Sequence, residues 1–179
     1  PDSHRAAFFV SNLTGARYEI SPRASWQATY QHLRTERRQT NGPGGVGFQP
    51  FGLVNESNFG GAIDTLDTRL TWRAARRFAL TGGYEFEREL YRELQNNNQP
   101  GNARIFTRTR APQRAHSAFA HSQISLLADR LQLSLSGRMQ DFQLKRPEFQ
   151  FTGTANNYQN AAIVSPPRAW TGDASLAYF

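Results

Sequence analysis

Two histidines with neighbouring serines are the residues most suggestive of covalent chemistry: His116-Ser117 and His121-Ser122. A hydrolase needs serine, histidine and an orienting acid converging on one point. No nucleophile-elbow pattern of the Gly-x-Ser-x-Gly type accompanies them, and nothing in the sequence sets a carboxylate beside them. Positions 116 and 121 are five apart, so on a strand they face opposite sides and cannot share a metal. His4 and His32 are isolated. Glu85, Glu87 and Glu89 recur at spacing two and fall on one strand face at intervals of about 7 Å. Hard-cation binding by carboxylate oxygens is conceivable there, but a solvated stripe balanced by arginines is the simpler expectation. No Gly-rich stretch follows a strand and opens a helix, so GPGGVG at 42–47 reads as a loop and not as a phosphate cradle. No catalytic residue, metal or cofactor is assigned from the sequence.

Arginines are the other chemical signal. Of 21 basic residues in 179, only Lys145 is a lysine, and the formal charge is +7. Arg34, Arg37 and Arg38 cluster near Tyr30, and Arg104, Arg108 and Arg110 form a second group. No recognition helix or basic-aromatic signature accompanies them, so nucleic acid is not expected as a partner. Bidentate recognition of phosphate or another anion fits arginine better than lysine.

Composition narrows the class further. The absence of cysteine excludes disulfides, thiolate metal sites and a cysteine nucleophile. The longest wholly apolar run, Ala6 to Val10, is far short of the roughly 18 residues a membrane helix needs. No basic start leads into an apolar segment, so no signal peptide is expected within the sequence. A mean hydropathy of −0.65 remains compatible with a membrane barrel, whose strands alternate.

The elements that must position these residues are strands. Leu131, Leu133, Leu135, Gly137 and Met139 alternate with Gln132, Ser134, Ser136, Arg138 and Gln140. Phe78, Leu80, Gly82, Tyr84 and Phe86 alternate with Ala79, Thr81, Gly83, Glu85 and Glu87. Trp170–Tyr178, Leu66–Trp72 and Trp26–Tyr30 behave likewise, and weaker strands are expected over Phe8–Ile20 and Arg114–Leu127. In the last of these Phe119 is out of phase with Ile124 and Leu126. About seven strands result, most of about ten residues or slightly more.

Connections alternate too. Ser21-Pro22, Ala74–Arg77 and Ala128–Arg130 are short, whereas Glu36–Gly61, Tyr91–Gln113 and Phe142–Pro167 are long and carry turn chemistry. Three long loops on one side are uncommon in a compact soluble domain. They are the normal pattern of an outer-membrane barrel, with short periplasmic turns and long extracellular loops. The expected fold is therefore all-β: an antiparallel up-and-down transmembrane β-barrel segment. Trp72, Phe78, Leu80, Tyr84, Phe86, Leu131, Leu133, Leu135, Trp170, Leu176 and Tyr178 are expected to face lipid, with aromatics gathered into two girdles. Asp67, Arg69, Glu85, Glu87 and Arg138 are expected to face the lumen.

Several stretches resemble the barrel of TonB-dependent outer-membrane receptors. FAHSQISLLADRLQLSLSGRMQDF (119–142) is similar to their hairpin with an aromatic-Ala start, a short Asp-containing turn and a Gly-Arg-x-x-Asp end, here Gly137, Arg138 and Asp141. TGGYEFERELY (81–91) resembles their Gly-Tyr-Glu strand, and WTGDASLAYF (170–179) a strand that normally leads on to others. The resemblance covers most of 60–179. It implies an outer-membrane receptor that takes up a siderophore–iron complex or cobalamin, with no covalent chemistry of its own. It also implies a plug domain, a TonB complex engaged through a preceding N-terminal part, and a barrel of about twenty-two strands. No plug or TonB-interacting motif is visible in 1–179, so the whole sequence reads as one partial barrel domain. Phe179 mimics the terminal aromatic of complete outer-membrane proteins, although Ala174 and Ala177 do not fit that signal.

Substrate contacts are expected from loops and the upper lumen: Arg37, Arg38, Phe48, Phe51, Tyr91, Arg104, Phe149 and Tyr158. Membrane lipid and lipopolysaccharide are the expected surroundings, and the nutrient itself is not readable. Three rival readings stay open. They are a complete small outer-membrane barrel (adhesin or structural), a soluble β-rich module for glycan or nucleic acid, and an outer-membrane hydrolase using His116 or His121.

Overall fold

The computed structural model describes residues 3–42, 54–98, 105–128, 130–152 and 162–179. Among them there are strands and no helices: β1 (His4–Ser21), β2 (Ala24–Asn41), β3 (Val54–Ala75), β4 (Phe78–Asn98), β5 (Ile105–Leu126), β6 (Leu131–Leu144), β7 (Glu148–Phe151) and β8 (Ala169–Tyr178). All pairings are antiparallel, and β1 to β6 lie side by side in chain order with β8 beyond β6. This is the up-and-down sheet expected, with β1 and β8 as its two edges; the barrel is not closed.

The short strand β7 pairs with β5 and not with β8. It continues β6: Leu144 lies opposite Gln113 and Glu148 opposite Arg110, so the pairing slips by one residue across Lys145-Arg146-Pro147. Proline cannot supply the ladder donor at 147, which is where a bulge is tolerated. The seven expected strands are thus present, one of them interrupted.

Strand length is corrected. The two longest strands, β3 and β5, each have 22 residues, about 70 Å at 3.3 Å per residue. About ten residues suffice to cross a bilayer. Two of the three expected long connections are accordingly mostly strand, whereas of Phe142–Pro167 only 142–144 and 148–151 are. Of Glu36–Gly61 only 42–53 lies outside β2 and β3, and of Tyr91–Gln113 only 99–104 lies outside β4 and β5. Arg37, Arg38, Tyr91 and Phe149, expected near loops, stand on strands. Phe48, Phe51, Arg104 and Tyr158 lie outside the described residues, as does most of the Gly/Asn-rich turn chemistry.

The short connections fall where expected. Two-residue turns at Pro22-Arg23 and Arg76-Arg77 close the β1–β2 and β3–β4 hairpins. Between β5 and β6, Leu127 and Ala128 both adopt left-handed backbone, at φ 50° and 57°. That costs an L-residue about 1 kcal/mol or more, but its twist suits a tight hairpin.

There is hardly any core. Leu90 is the sole buried apolar residue and Ser117 the sole buried polar one among the described residues. Trp72, Leu70, Tyr84, Trp170 and Leu176 are all exposed. A single sheet with two open faces cannot be stabilised by its own packing; its apolar face requires another medium or partner.

Candidate functional site

Register converts alternation into two continuous faces. On one face Trp26 meets Leu70, Gly82, Ala120, Gly137 and Gly172 along a single rung. Leu133 joins Ile124 and Phe78 on the short-turn side, and also Leu176. All eleven residues expected to face lipid share this face. Trp72, Phe78 and Tyr178 lie near its short turns and Tyr30, Tyr84, Phe86 and Trp170 at its other end, with Trp26 on the rung between, among leucines and smaller residues.

The opposite face over the same length is polar. Asp67 and Glu85 stand directly opposite one another, with Ser117 next along the rung. Their like charges are offset by two arginines. Arg69 pairs with Asp67 at 2.8 Å, and Arg138 donates to Glu85 and, at 3.0 Å, to Ser117 Oγ. Asp67, Arg69, Glu85, Glu87 and Arg138 therefore share one face. Glu89 accepts from Gln113 rather than from an arginine. Among the described residues no three His, Asp or Glu side chains converge as a metal site.

Phe119 resolves the phase ambiguity of β5. Ile124 and Leu126 lie on the apolar face, opposite Leu133 and Leu131, while Phe119 lies on the polar face opposite Gly83. A Cβ at Gly83 would come within 2.4 Å of the Phe119 ring and 2.6 Å of the Thr68 carbonyl. Glycine at 83 thus makes room for the ring and for the close approach of β3.

The histidines separate as their spacing requires. His116 lies on the apolar face, beside Phe86 and bonded through Nδ1 to the Tyr84 hydroxyl at 2.6 Å. His121 is on the other face, opposite Thr81 and Ser136. Contrary to expectation, register does bring a carboxylate near a histidine, because Asp141 is directly opposite His116. Ser117, however, points to the other face, away from both. On that face His121 stands opposite Ser136, whose hydroxyl donates to Asp173; the acid there engages the serine, whereas a hydrolase needs it to orient the histidine.

At the rung His32–Asp64–Arg88–Arg114 the two faces exchange character. Asp64 Oδ1 accepts from Tyr30 and lies 2.7 Å from His32 Nδ1. Beyond it the formerly apolar face carries Arg34, Glu36, Arg38 and Arg92. Arg38 bonds to Glu36 at 2.8 Å and holds its carboxyl below the usual range, helped by Asn58 and Arg34. The formerly polar face turns apolar with Leu33 opposite Ile63 and, two rungs further, Arg37 opposite Phe59.

Here lies a groove of about 620 Å³, lined by Phe9, Leu33, Arg37, Phe59, Ile63 and Tyr91 among others. The Arg37 guanidinium lies 4.9 Å from the Phe59 ring centroid, a cation–π contact. Tyr91 donates to Glu93 at 3.1 Å, and burial together with that carboxylate raises its pKa. The arrangement offers flat apolar walls, the Arg37 guanidinium, the Tyr91 phenol and, at its border, Glu89, which suits binding an amphipathic molecule and not covalent chemistry. Of the four described candidates, Arg37 and Tyr91 line the groove. Phe149 shares their face on the rung of Arg37. Arg38 projects to the other side. Phe9, Leu33, Phe59 and Ile63 were missed. For Phe59 and Ile63 the signal was alternation resumed in opposite phase, Phe59-x-Gly61-x-Ile63, beginning inside the stretch 36–61 read as loop.

The chain matches the family described as TonB dependent receptor-like, beta-barrel, over residues 3–179. It therefore belongs to that family. Comparison with curated proteins and with solved structures returned no match. The family consists of transport proteins typically found in the bacterial outer membrane, whose barrels surround a plug and work with TonB.

Proposed function

We propose that this sheet is part of the wall of an outer-membrane receptor that captures a scarce nutrient, such as a siderophore–iron complex or cobalamin, and imports it. The apolar face between the two aromatic margins meets lipid, and the Asp67–Glu85–Arg138 face meets the aqueous lumen. The groove above that lumen face is the contact surface for the nutrient, with Arg37 and Tyr91 as its polar anchors. The plug and TonB complex act through other parts of the receptor, and this segment performs no covalent step.

The observation that carries this reading is the change of face along the strands. Apolar side chains face outward where the bilayer must lie and turn inward above it, where a ligand arrives. Uptake tests it. In cells dependent on the receptor, a panel of ferric siderophores and cobalamin is offered at limiting concentration, with Arg37→Ala/Tyr91→Ala beside the natural protein. The reading expects one ligand to support growth and the double variant to lower its binding about tenfold or more, at unchanged receptor abundance. Unchanged binding, or no uptake of any such ligand, contradicts it.

A further inference from the structure

Four arginines on the outward face are paired in an unusual way. Arg88 stands directly opposite Arg114, and four residues further along β4 Arg92 stands directly opposite Arg110. Like charges facing each other across two strands destabilise a sheet unless an anion lies between them. The protein supplies little compensation. Asp64 is beside Arg88 on β3 and attracts it, but its Oδ1 is shared with Tyr30 and His32 and it does not reach Arg114. Arg114 faces Gln143 on its other side. Of the four, only Arg110 has an ion pair among the described residues, to Glu148 at 2.9 Å. Between the two rungs lie Leu90, buried, and Pro112.

Depth selects the anion. Arg88 is two residues beyond Phe86, the last aromatic of the apolar band on β4, so its rung lies about 7 Å further along the strand. The second rung is about 13 Å beyond that. This is the level at which headgroups begin above an apolar band of about 25 Å. Two arginines opposite one another on one face can turn their planar donor forks to one phosphate, whose oxygens accept bidentately.

We infer that the Arg88/Arg114 rung, supported by Arg92/Arg110, binds a phosphate of a phosphorylated glycolipid in the outer leaflet, the lipid anchor of lipopolysaccharide. This rests on the apolar face being the lipid face, and it adds a specific headgroup site to that reading. The bound phosphate offsets the Arg–Arg repulsion, so the lipid acts as a clamp between β4 and β5.

The receptor bearing this chain, extracted in mild detergent and stripped of lipid, tests the site. Thermal unfolding and native mass spectrometry are followed with diphosphorylated lipid A, dephosphorylated lipid A and inorganic phosphate. Diphosphorylated lipid A should bind and raise the unfolding temperature, and the dephosphorylated form should not. Arg88→Gln/Arg114→Gln should weaken that binding at least tenfold. Without lipid it should unfold at the same or a higher temperature, because the repulsion is gone. Arg76→Gln/Arg77→Gln, at the opposite end of the sheet, should bind as the natural protein does. Arg88→Lys/Arg114→Lys, which keeps charge but loses the forks, should fall between and serves if the glutamine variant fails to fold. Equal binding by the glutamine or, in its place, the lysine variant overturns the inference. So does equal binding of the dephosphorylated lipid, or an equal effect of inorganic phosphate. If the apolar face proves to be exposed to water, the underlying reading has failed; if it faces lipid and lipid A does not bind, only this inference has.

Discussion

The lower and upper halves of β2 and β3 are built from the same two alternating faces with their chemistry exchanged. Below the His32–Asp64 rung, Trp26, Ala28 and Tyr30 face one way and Gln27, Thr29 and Gln31 the other. Above it, Arg34, Glu36 and Arg38 take the first face and Leu33, Thr35 and Arg37 the second. The strand does not bend its pattern to do this; the side-chain period of two continues unbroken while the surroundings change. A soluble sheet has one core face along its whole length. A strand that leaves a bilayer has an apolar outside only as far as the lipid reaches, and any apolar groove above that level must lie inside. On β4 the exchange is partial, since Glu89 and Glu93 remain on the inner face beside Tyr91.

The largest effect that breaks this comparison comes from charge in the lower half. Leu70→Arg, in the middle of the apolar band, should cost about 2–4 kcal/mol in refolding into lipid vesicles. Thr71→Arg, one residue away on the polar face, should cost under about 1 kcal/mol. Equal costs would remove the distinction between the faces. Next is Gly83→Ala. Its Cβ meets both the Phe119 ring and the Thr68 carbonyl, so a loss of about 1–3 kcal/mol is expected. Adding Phe119→Ala should restore only part of it, because the carbonyl cannot move aside. Arg138→Met should have a smaller effect. It leaves Glu85 facing Asp67, but both partners of the lost ion pair are about a third or more exposed. A cost of about 1 kcal/mol is therefore expected, rather than the several of a buried pair.

The lower half was legible in the sequence because one face there is uniformly apolar. Leu131–Gln140 and Phe78–Glu87 declare both strand and face, and register put every residue where alternation had put it. The upper half was not legible for the reason just given. Where the phase of alternation flips at Asp64 and His32, a search for one apolar face finds none. Strand continuing to Asn41 and from Val54 was accordingly taken for loop. The groove was lost with it. Arg37 and Tyr91 were found from their types and position, whereas Phe59 and Ile63 needed the register. Asp141 opposite His116 is likewise a product of pairing between β5 and β6, invisible to spacing along one strand.

Residues 1–179 contain no cysteine, so in a receptor whose other cysteines, if any, are replaced, the central claim is directly measurable. Single cysteines placed in turn from Leu80 to Arg88, in the receptor reconstituted in vesicles, can be labelled with a fluorophore and quenched by brominated lipid or by a water-soluble quencher. Positions 80, 82, 84 and 86 should be quenched by lipid, positions 81, 83, 85 and 87 from water, and position 88 from water despite its even number. Water quenching at both parities throughout 80–87, or lipid quenching at the odd positions, would contradict a membrane-spanning wall.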